Sequence, residues 1–336
     1  MTAHRKVAVM GTGSWGTTFA MVLADAGVQV RIWGRRAEVV DDINTHHRNS
    51  AYLGDAPLPP RIRASTDPAR VLAGADHVVL AVPSQTLRDN LRGWAPLIPA
   101  GAGLVSLMKG VELGTHLRMS EVICDVTGAD PDRIIVVSGP NLAREIAARQ
   151  PTTTVVACRD HDRAEDLAHL CFTGYFRPYT ETDVVGVEIG GAVKNVIALA
   201  VGMAEGLGFG QNTQASLITR GLAETARLAL ALGARPGTLS GLAGMGDLVA
   251  TCVSPLSRNR TFGVELGRGH TLAETVALVQ QTAEGVKSCA SILELAEQAG
   301  VDMPIVKAVA AVVHEDIGAK EMVRILLSRA RKHERR

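Results

Sequence analysis

Lys6-Val7-Ala8-Val9-Met10-Gly11-Thr12-Gly13-Ser14-Trp15-Gly16 is the stretch that decides how this chain is read. A short apolar run stops at glycines spaced Gly-x-Gly-x-x-Gly, and Thr17 to Ala26 then reads as a helix ending at Gly27. The spacing by itself is weak, because the chain holds 34 glycines. Set between a strand and a helix it gains a mechanism. A helix N-terminus with closely approachable backbone suits a pyrophosphate. The competing reading is an ordinary tight turn between strand and helix.

The next segments extend the pattern. Val28 to Trp33 is a second strand, and its end is where an Asp or Glu reads the ribose of NAD. Here Gly34-Arg35-Arg36 follows instead. Two guanidiniums suit a 2′-phosphate, so NADP(H) is expected to be preferred, with NAD(H) possible. The alternative is a solvated helix start, and Glu38 beside Arg36 favours that reading for the second arginine. Gly34 is expected to leave room for the ribose. Further strands are expected at Arg61–Ser65, His77–Pro83, Leu104–Met108, Arg133–Val137, Thr152–Ala157 and Phe176–Tyr179. Thr66-Asp67-Pro68 has the form of a helix cap, and Ser84-Gln85 reads as another at the carboxyl edge of the sheet. Lys109-Gly110 leaves the fifth strand at that same edge. Alternating strands and helices predict an α/β fold, a Rossmann-like doubly wound sheet over residues 1–183.

From Val184 the strand patterns stop, and helical patterns run to the end, giving an all-α C-terminal domain over residues 184–336. Its first helix contains Glu188-Ile189-Gly190-Gly191-Ala192-Val193-Lys194-Asn195-Val196. Packing gives no reason for the ammonium of Lys194, and an unpaired buried lysine is costly. It is either a snorkelling side chain or a general acid/base. The Gly190-Gly191 pair is expected to admit another backbone or a flat ligand. Two further clusters stand out. Gly241 to Leu248 is a glycine-rich turn presenting Asp247, which either caps the next helix or serves the site. Ser257-Arg258-Asn259-Arg260 opens a helix with hydroxyl, guanidinium and amide groups, a set suited to phosphate.

Net charge of +1 gives no basic field for nucleic acid. The five scattered cysteines, with no Cys-x-x-Cys, suggest neither a disulfide framework nor a metal site and favour a reducing, cytoplasmic setting. The short apolar run at the N-terminus reads as a strand rather than a signal peptide. Glu188 and Lys194 are expected to disqualify the long helix as a membrane span. The basic end, Arg331 to Arg336, reads as a frayed tail. The apolar helical half makes a homodimer the expected assembly.

Taken together, the motifs resemble the bacterial NAD(P)-dependent glycerol-3-phosphate dehydrogenases. The matching pieces are Gly11–Gly16, Leu107-Met108-Lys109-Gly110-Val111-Glu112, Ser138-Gly139-Pro140, Gly191-Ala192-Val193-Lys194-Asn195-Val196, Leu217–Leu222, Gly244-Met245-Gly246-Asp247-Leu248, Ser257–Arg260 and Ala283-Glu284-Gly285. The resemblance implies interconversion of dihydroxyacetone phosphate and sn-glycerol 3-phosphate, feeding phospholipid synthesis. It implies Lys194 as proton donor and acceptor, with Lys109, Gly139, Asn141, Asp247, Ser257, Arg258 and Asn259 around the substrate. It also implies Gly11, Gly13, Ser14, Trp15, Gly16, Arg35, Arg36, Lys109, Ala143, Arg258 and Glu284 around the cofactor. Asn141 departs from the Ser or Thr usual at its position. A hydroxyacid dehydrogenase shares the glycine loop and a helical lysine but gives no reason for Gly246-Asp247 together with Ser257-Arg258-Asn259. A non-catalytic NADP sensor leaves Lys194 and Lys109 without a role.

Overall fold

The computed structural model describes residues 5–279, 283–315 and 317–328; the terminal basic segment lies outside them. Among the described residues every expected strand forms. They are β1 (Lys6–Met10), β2 (Gln29–Trp33), β3 (Arg63–Ser65), β4 (His77–Leu80), β5 (Gly103–Ser106), β6 (Ile134–Ser138), β7 (Thr152–Cys158) and β8 (Phe176–Glu181). They make one sheet in the order β3-β2-β1-β4-β5-β6-β7-β8. Neighbours are parallel except β6 and β7. That pair runs antiparallel because its link holds only the short Ala143–Ala147 helix, whereas a parallel pair needs a crossover that spans the sheet.

The central strands are apolar without alternation because both faces are covered. Val7, Val9, Val79 and Val105 join a core with Phe19 and Leu23 of the Ser14–Asp25 helix. Ala8, Met10, Leu80 and Leu104 face the other way, toward Leu87, Leu91 and Ile123. β4 stops at Leu80 rather than running through Pro83 as expected. Proline has no N–H for a ladder, so the chain leaves the sheet there.

The C-terminal half is organised around the Val184–Gly206 helix, which is buried along nearly its whole length. Asp183 starts it by accepting from the Gly186 N–H at 2.9 Å. Its far end packs against the Arg258–Gly267 helix through glycines. A Cβ on Gly206 would lie 2.9 Å from Gly267 Cα, so the two backbones can touch only without side chains there. By length and composition this helix could cross a bilayer, contrary to the expectation from its two charges, but 94% of its most apolar stretch is buried inside the protein. Its charges are paired rather than displayed. Glu188 accepts from Arg118 at 2.5 Å and from the Ser120 N–H at 2.8 Å, joining the helix to the start of Met119–Thr127. Val184 and Val187 pack with Val136, Val155 and Ala157, which sets the helix against the β6–β7 part of the sheet.

Candidate active site

Lys194 pairs with neither acid of its own helix, since Glu188 is taken by Arg118 and Glu205 by Arg260. The anion comes from Asp247, the first residue of the Asp247–Val253 helix. Lys194 Nζ donates to Asp247 Oδ1 at 2.6 Å and to Thr251 Oγ1 at 2.6 Å. Lys109, just beyond β5, donates to Asp247 Oδ2 at 2.5 Å and to the Gly139 carbonyl at 3.1 Å. One carboxylate, 1% exposed, therefore bridges two ammoniums brought from separate parts of the chain. Sharing Asp247 and a second acceptor each offsets the loss of water at both lysines. Burial pushes the Lys109 ammonium down to about 8; Asp247 opposes that shift and Lys194 adds to it. Asp247 does not cap its helix with its side chain, since the cap position is Gly246.

Two ammoniums against one carboxylate leave net positive charge in a largely dry place. Such an arrangement can stabilise an oxygen becoming negative and give it a proton. Nearby donors are unused. Ser138 Oγ and Asn141 Nδ2 are buried without partners among the described residues, while Asn141 Oδ1 accepts from Thr154 at 3.0 Å. The Gly190-Gly191 gap is filled by protein rather than left to a ligand. A Cβ on Gly190 would lie 2.7 Å from the Ala243 carbonyl, and one on Gly191 would lie 2.8 Å from Ser138 Oγ.

The Ser257 hydroxyl caps the Arg258–Gly267 helix, accepting from the Arg260 N–H at 3.3 Å. Arg258 is exposed and makes no hydrogen bond among the described residues. Arg260 is bound by Glu205 at 2.6 Å, so one guanidinium of the expected pair is committed inside the fold. Asn259 is buried, donating to Asn195 Oδ1 at 2.9 Å and accepting from the Gly285 N–H at 2.9 Å. Through Asn195, the neighbour of Lys194, this helix start is tied to the lysine cluster.

At the glycine loop, Gly11 holds φ +134° against Ala81, a backbone closed to other residues. A Cβ on Gly13 would meet nothing within 4 Å, and no side chain caps the Ser14–Asp25 helix. Asn49 pins the loop by donating to the Thr12 carbonyl at 2.9 Å and to Thr17 Oγ1 at 2.8 Å. Ser14 donates to the Tyr52 carbonyl at 3.4 Å. Trp15 packs edge-on to Phe19, with its indole N–H buried and unpartnered among the described residues. Ala143 closes over this helix, its carbonyl accepting from Thr18 at 3.3 Å. Arg35 is exposed and unpaired among the described residues. Arg36 faces Glu38 at 3.6 Å and stacks over Tyr52 at 5.2 Å. The expected room at Gly34 is occupied: a Cβ there would lie 2.8 Å from the Thr12 methyl. Glu284, in the first turn of the Glu284–Gln298 helix, accepts from Ser84 at 2.9 Å.

The lysine cluster therefore forms directly, whereas the arginines stand apart as exposed charges. Thr251 was missed in the sequence. Its signal was the Asp247-x-x-x-Thr251 spacing, which puts both on one helix face. Asn195 and Asn49 carried no such pattern. Among the described residues no group of three His, Cys, Asp or Glu side chains could hold a metal.

Comparison with known proteins agrees with the motif reading. A family model described as NAD-dependent glycerol-3-phosphate dehydrogenase N-terminus matches residues 6–164, and the corresponding C-terminus model matches 183–324. A glycerol-3-phosphate dehydrogenase [NAD(P)+] of Streptomyces griseus is 63% identical over 336 residues, covering 100% of both chains. One from Corynebacterium diphtheriae is 59% identical, covering 98% of this chain and 100% of its own. The crystal structure of the glycerol-3-phosphate dehydrogenase of Coxiella burnetii superimposes with a TM-score of 0.92 at 37% identity, covering 97% of this chain and 99% of the other. With matches that span both halves, the chain belongs to the NAD-dependent glycerol-3-phosphate dehydrogenase family.

Proposed function

We infer that this chain performs the reaction for which its family is named, the NAD(P)-linked interconversion of dihydroxyacetone phosphate and sn-glycerol 3-phosphate, with Lys194 as general acid/base. The observation that carries this reading is the Lys194 ammonium held between Asp247 and Thr251, with Lys109 on the other carboxylate oxygen. The loop also fits a dinucleotide: open space at Gly13, an uncapped helix start and a buried unpartnered Trp15 N–H all lie together. When bound, the nicotinamide supplies or accepts the hydride.

Lys194 gives its proton to the carbonyl oxygen as that oxygen becomes an alkoxide, and takes it back in the reverse direction. Asp247 holds the Lys194 ammonium in place and aims it. Lys109 adds a second positive charge beside the same oxygen, and its bond to the Gly139 carbonyl fixes its approach. Asn141 offers its free amide N–H to a substrate hydroxyl. Ser257, Arg258 and Asn259 receive the phosphate, with Arg258 the unpaired charge among them. On the cofactor side, Gly11, Gly13, Ser14, Trp15 and Gly16 receive the pyrophosphate, with Ala143, Lys109, Arg258 and Glu284 lining the remainder. Arg35 meets a 2′-phosphate, which favours NADP(H) while leaving NAD(H) usable; Arg36 contributes through its stack on Tyr52.

In this reading residues 1–183 bind the nucleotide and 184–336 bind the substrate. The product feeds phospholipid synthesis in the cytoplasm, a setting compatible with five free cysteines. Exposed Val249, Val253 and Leu256 support a homodimer, which sedimentation would test. The deciding assay follows oxidation of NADPH and of NADH with dihydroxyacetone phosphate, unphosphorylated dihydroxyacetone and a 3-oxo acid. Rapid turnover of the phosphorylated ketone alone is expected. Turnover of the oxo acid alone would overturn the reading.

A further inference from the structure

Ser84-Gln85 has the look of a helix cap in the sequence, but neither side chain caps a helix. Both reach out of the sheet edge instead. Gln85 Nε2 donates to the Val111 carbonyl at 2.8 Å, and the Leu113 N–H donates to Gln85 Oε1 at 2.9 Å. One side-chain amide thus satisfies two backbone groups, much as a neighbouring strand would. The segment it grips begins at Lys109 and turns back on itself, with Glu112 N–H bonded to the Leu117 carbonyl at 2.9 Å. Ser291 of the Glu284–Gln298 helix donates to the same Val111 carbonyl at 2.9 Å. Gly110 crosses directly over Ser84, whose hydroxyl would lie 2.6 Å from a Cβ at that position.

We propose that Gln85 is a positioning residue for the reaction: its two-point hold on Val111 and Leu113 fixes the strap that carries Lys109 and so sets the Lys109 ammonium against Asp247. This rests on the functional reading above for its effect on turnover, but its geometry does not. Gln85 touches neither Lys109 nor Asp247 and acts only through the backbone between them. The strap keeps other anchors without it. Arg88 makes a two-pronged pair with Glu112 at 2.9 and 2.8 Å, and Arg118 is bound by Glu188. Loss of Gln85 should therefore loosen the Lys109 end without unfolding the strap.

The test is a double-mutant cycle with Gln85→Ala and Lys109→Ala, together with Gln85→Met, which keeps the length but removes both hydrogen bonds. In the parent background either Gln85 variant should raise KM for dihydroxyacetone phosphate by about tenfold, while KM for NADPH moves by less than about twofold. In the Lys109→Ala background the same change should have almost no further effect. Equal losses in both backgrounds would overturn the proposal, since a merely structural role acts whether or not Lys109 is present. The second readout needs no substrate. The pH midpoint for acylation of Lys109, followed by peptide mass spectrometry, should move upward in Gln85→Met as the ammonium regains water. An unmoved midpoint removes the positioning role. A parent that fails to reduce dihydroxyacetone phosphate would instead remove the functional reading, and the acylation result would still decide the role of Gln85.

Discussion

The Lys109–Asp247–Lys194 cluster and the exposed arginines are opposite solutions to holding charge. In the cluster the ammoniums are paired and nearly dry before any ligand arrives. Arg35 and Arg258 sit in water with no partner among the described residues. The difference matches two kinds of work. A group that must meet charge developing in a transition state gains from being fixed in advance, where its field is strong and nothing must reorganise. A group that must capture a phosphate already charged in solution gains from being free to form the pair on binding. Arg260, bound by Glu205, shows that a guanidinium at the same helix start can instead be absorbed into the fold.

The contrast can be broken first at its buried side. Lys194→Ala should cut turnover by roughly 10²–10⁴-fold while NADPH still binds. Steady-state rates beside a fluorescence titration of the cofactor would check both halves, and near-normal turnover would remove the general acid. Asp247→Asn should lower turnover by about 10²–10³-fold. It should also destabilise the protein by about 3–5 kcal/mol, because the buried Lys194 and half-buried Lys109 ammoniums lose their shared anion. Denaturant melts would register the second effect, and an unchanged midpoint would mean the cluster is wetter than its burial suggests.

On the exposed side the effects should be smaller and tied to one ligand each. Arg258→Ala should weaken use of dihydroxyacetone phosphate by about 10- to 100-fold, from the loss of a charge-assisted bond. Unphosphorylated dihydroxyacetone should suffer much less, and equal losses on both ketones would put Arg258 outside the phosphate site. Arg35→Ala should reduce the NADPH-to-NADH ratio of kcat/KM by roughly tenfold. A ratio that does not move would make Arg35 a solvated helix start.

The smallest effect is in pH. With Lys109 held down to about 8, its ammonium is lost as pH rises through that value rather than near its ordinary 10.5. The kcat/KM for dihydroxyacetone phosphate should therefore fall severalfold between about pH 8 and 9, and Lys109→Met should abolish that limb. For stability the sign is reversed. The folded state sheds this proton before the unfolded chain does, so the penalty for burying the charge is fully present below about 8 and is relieved as pH rises from there toward 10.5.

Periodicity and glycine spacing determined much of this protein. The strands, the helix from Val184 to Gly206 and the loop at Gly11–Gly16 follow from local patterns, and such patterns are written in neighbouring residues. Lys194 could be singled out because a lone charge in an apolar helix is a local anomaly, and motif resemblance extended that to Lys109, Asp247 and Arg258. Tertiary structure decided what those charges do. Only folding brings Lys109 and Lys194 onto the two oxygens of one carboxylate, leaves Arg258 free while Glu205 takes Arg260, and fills the Gly190 gap with the Ala243 carbonyl. Gln85 is the clearest case. Its amide binds backbone groups, which every residue has, so no residue pattern in the partner segment announces the contact; burial and hydrogen-bond satisfaction are properties of the packed chain.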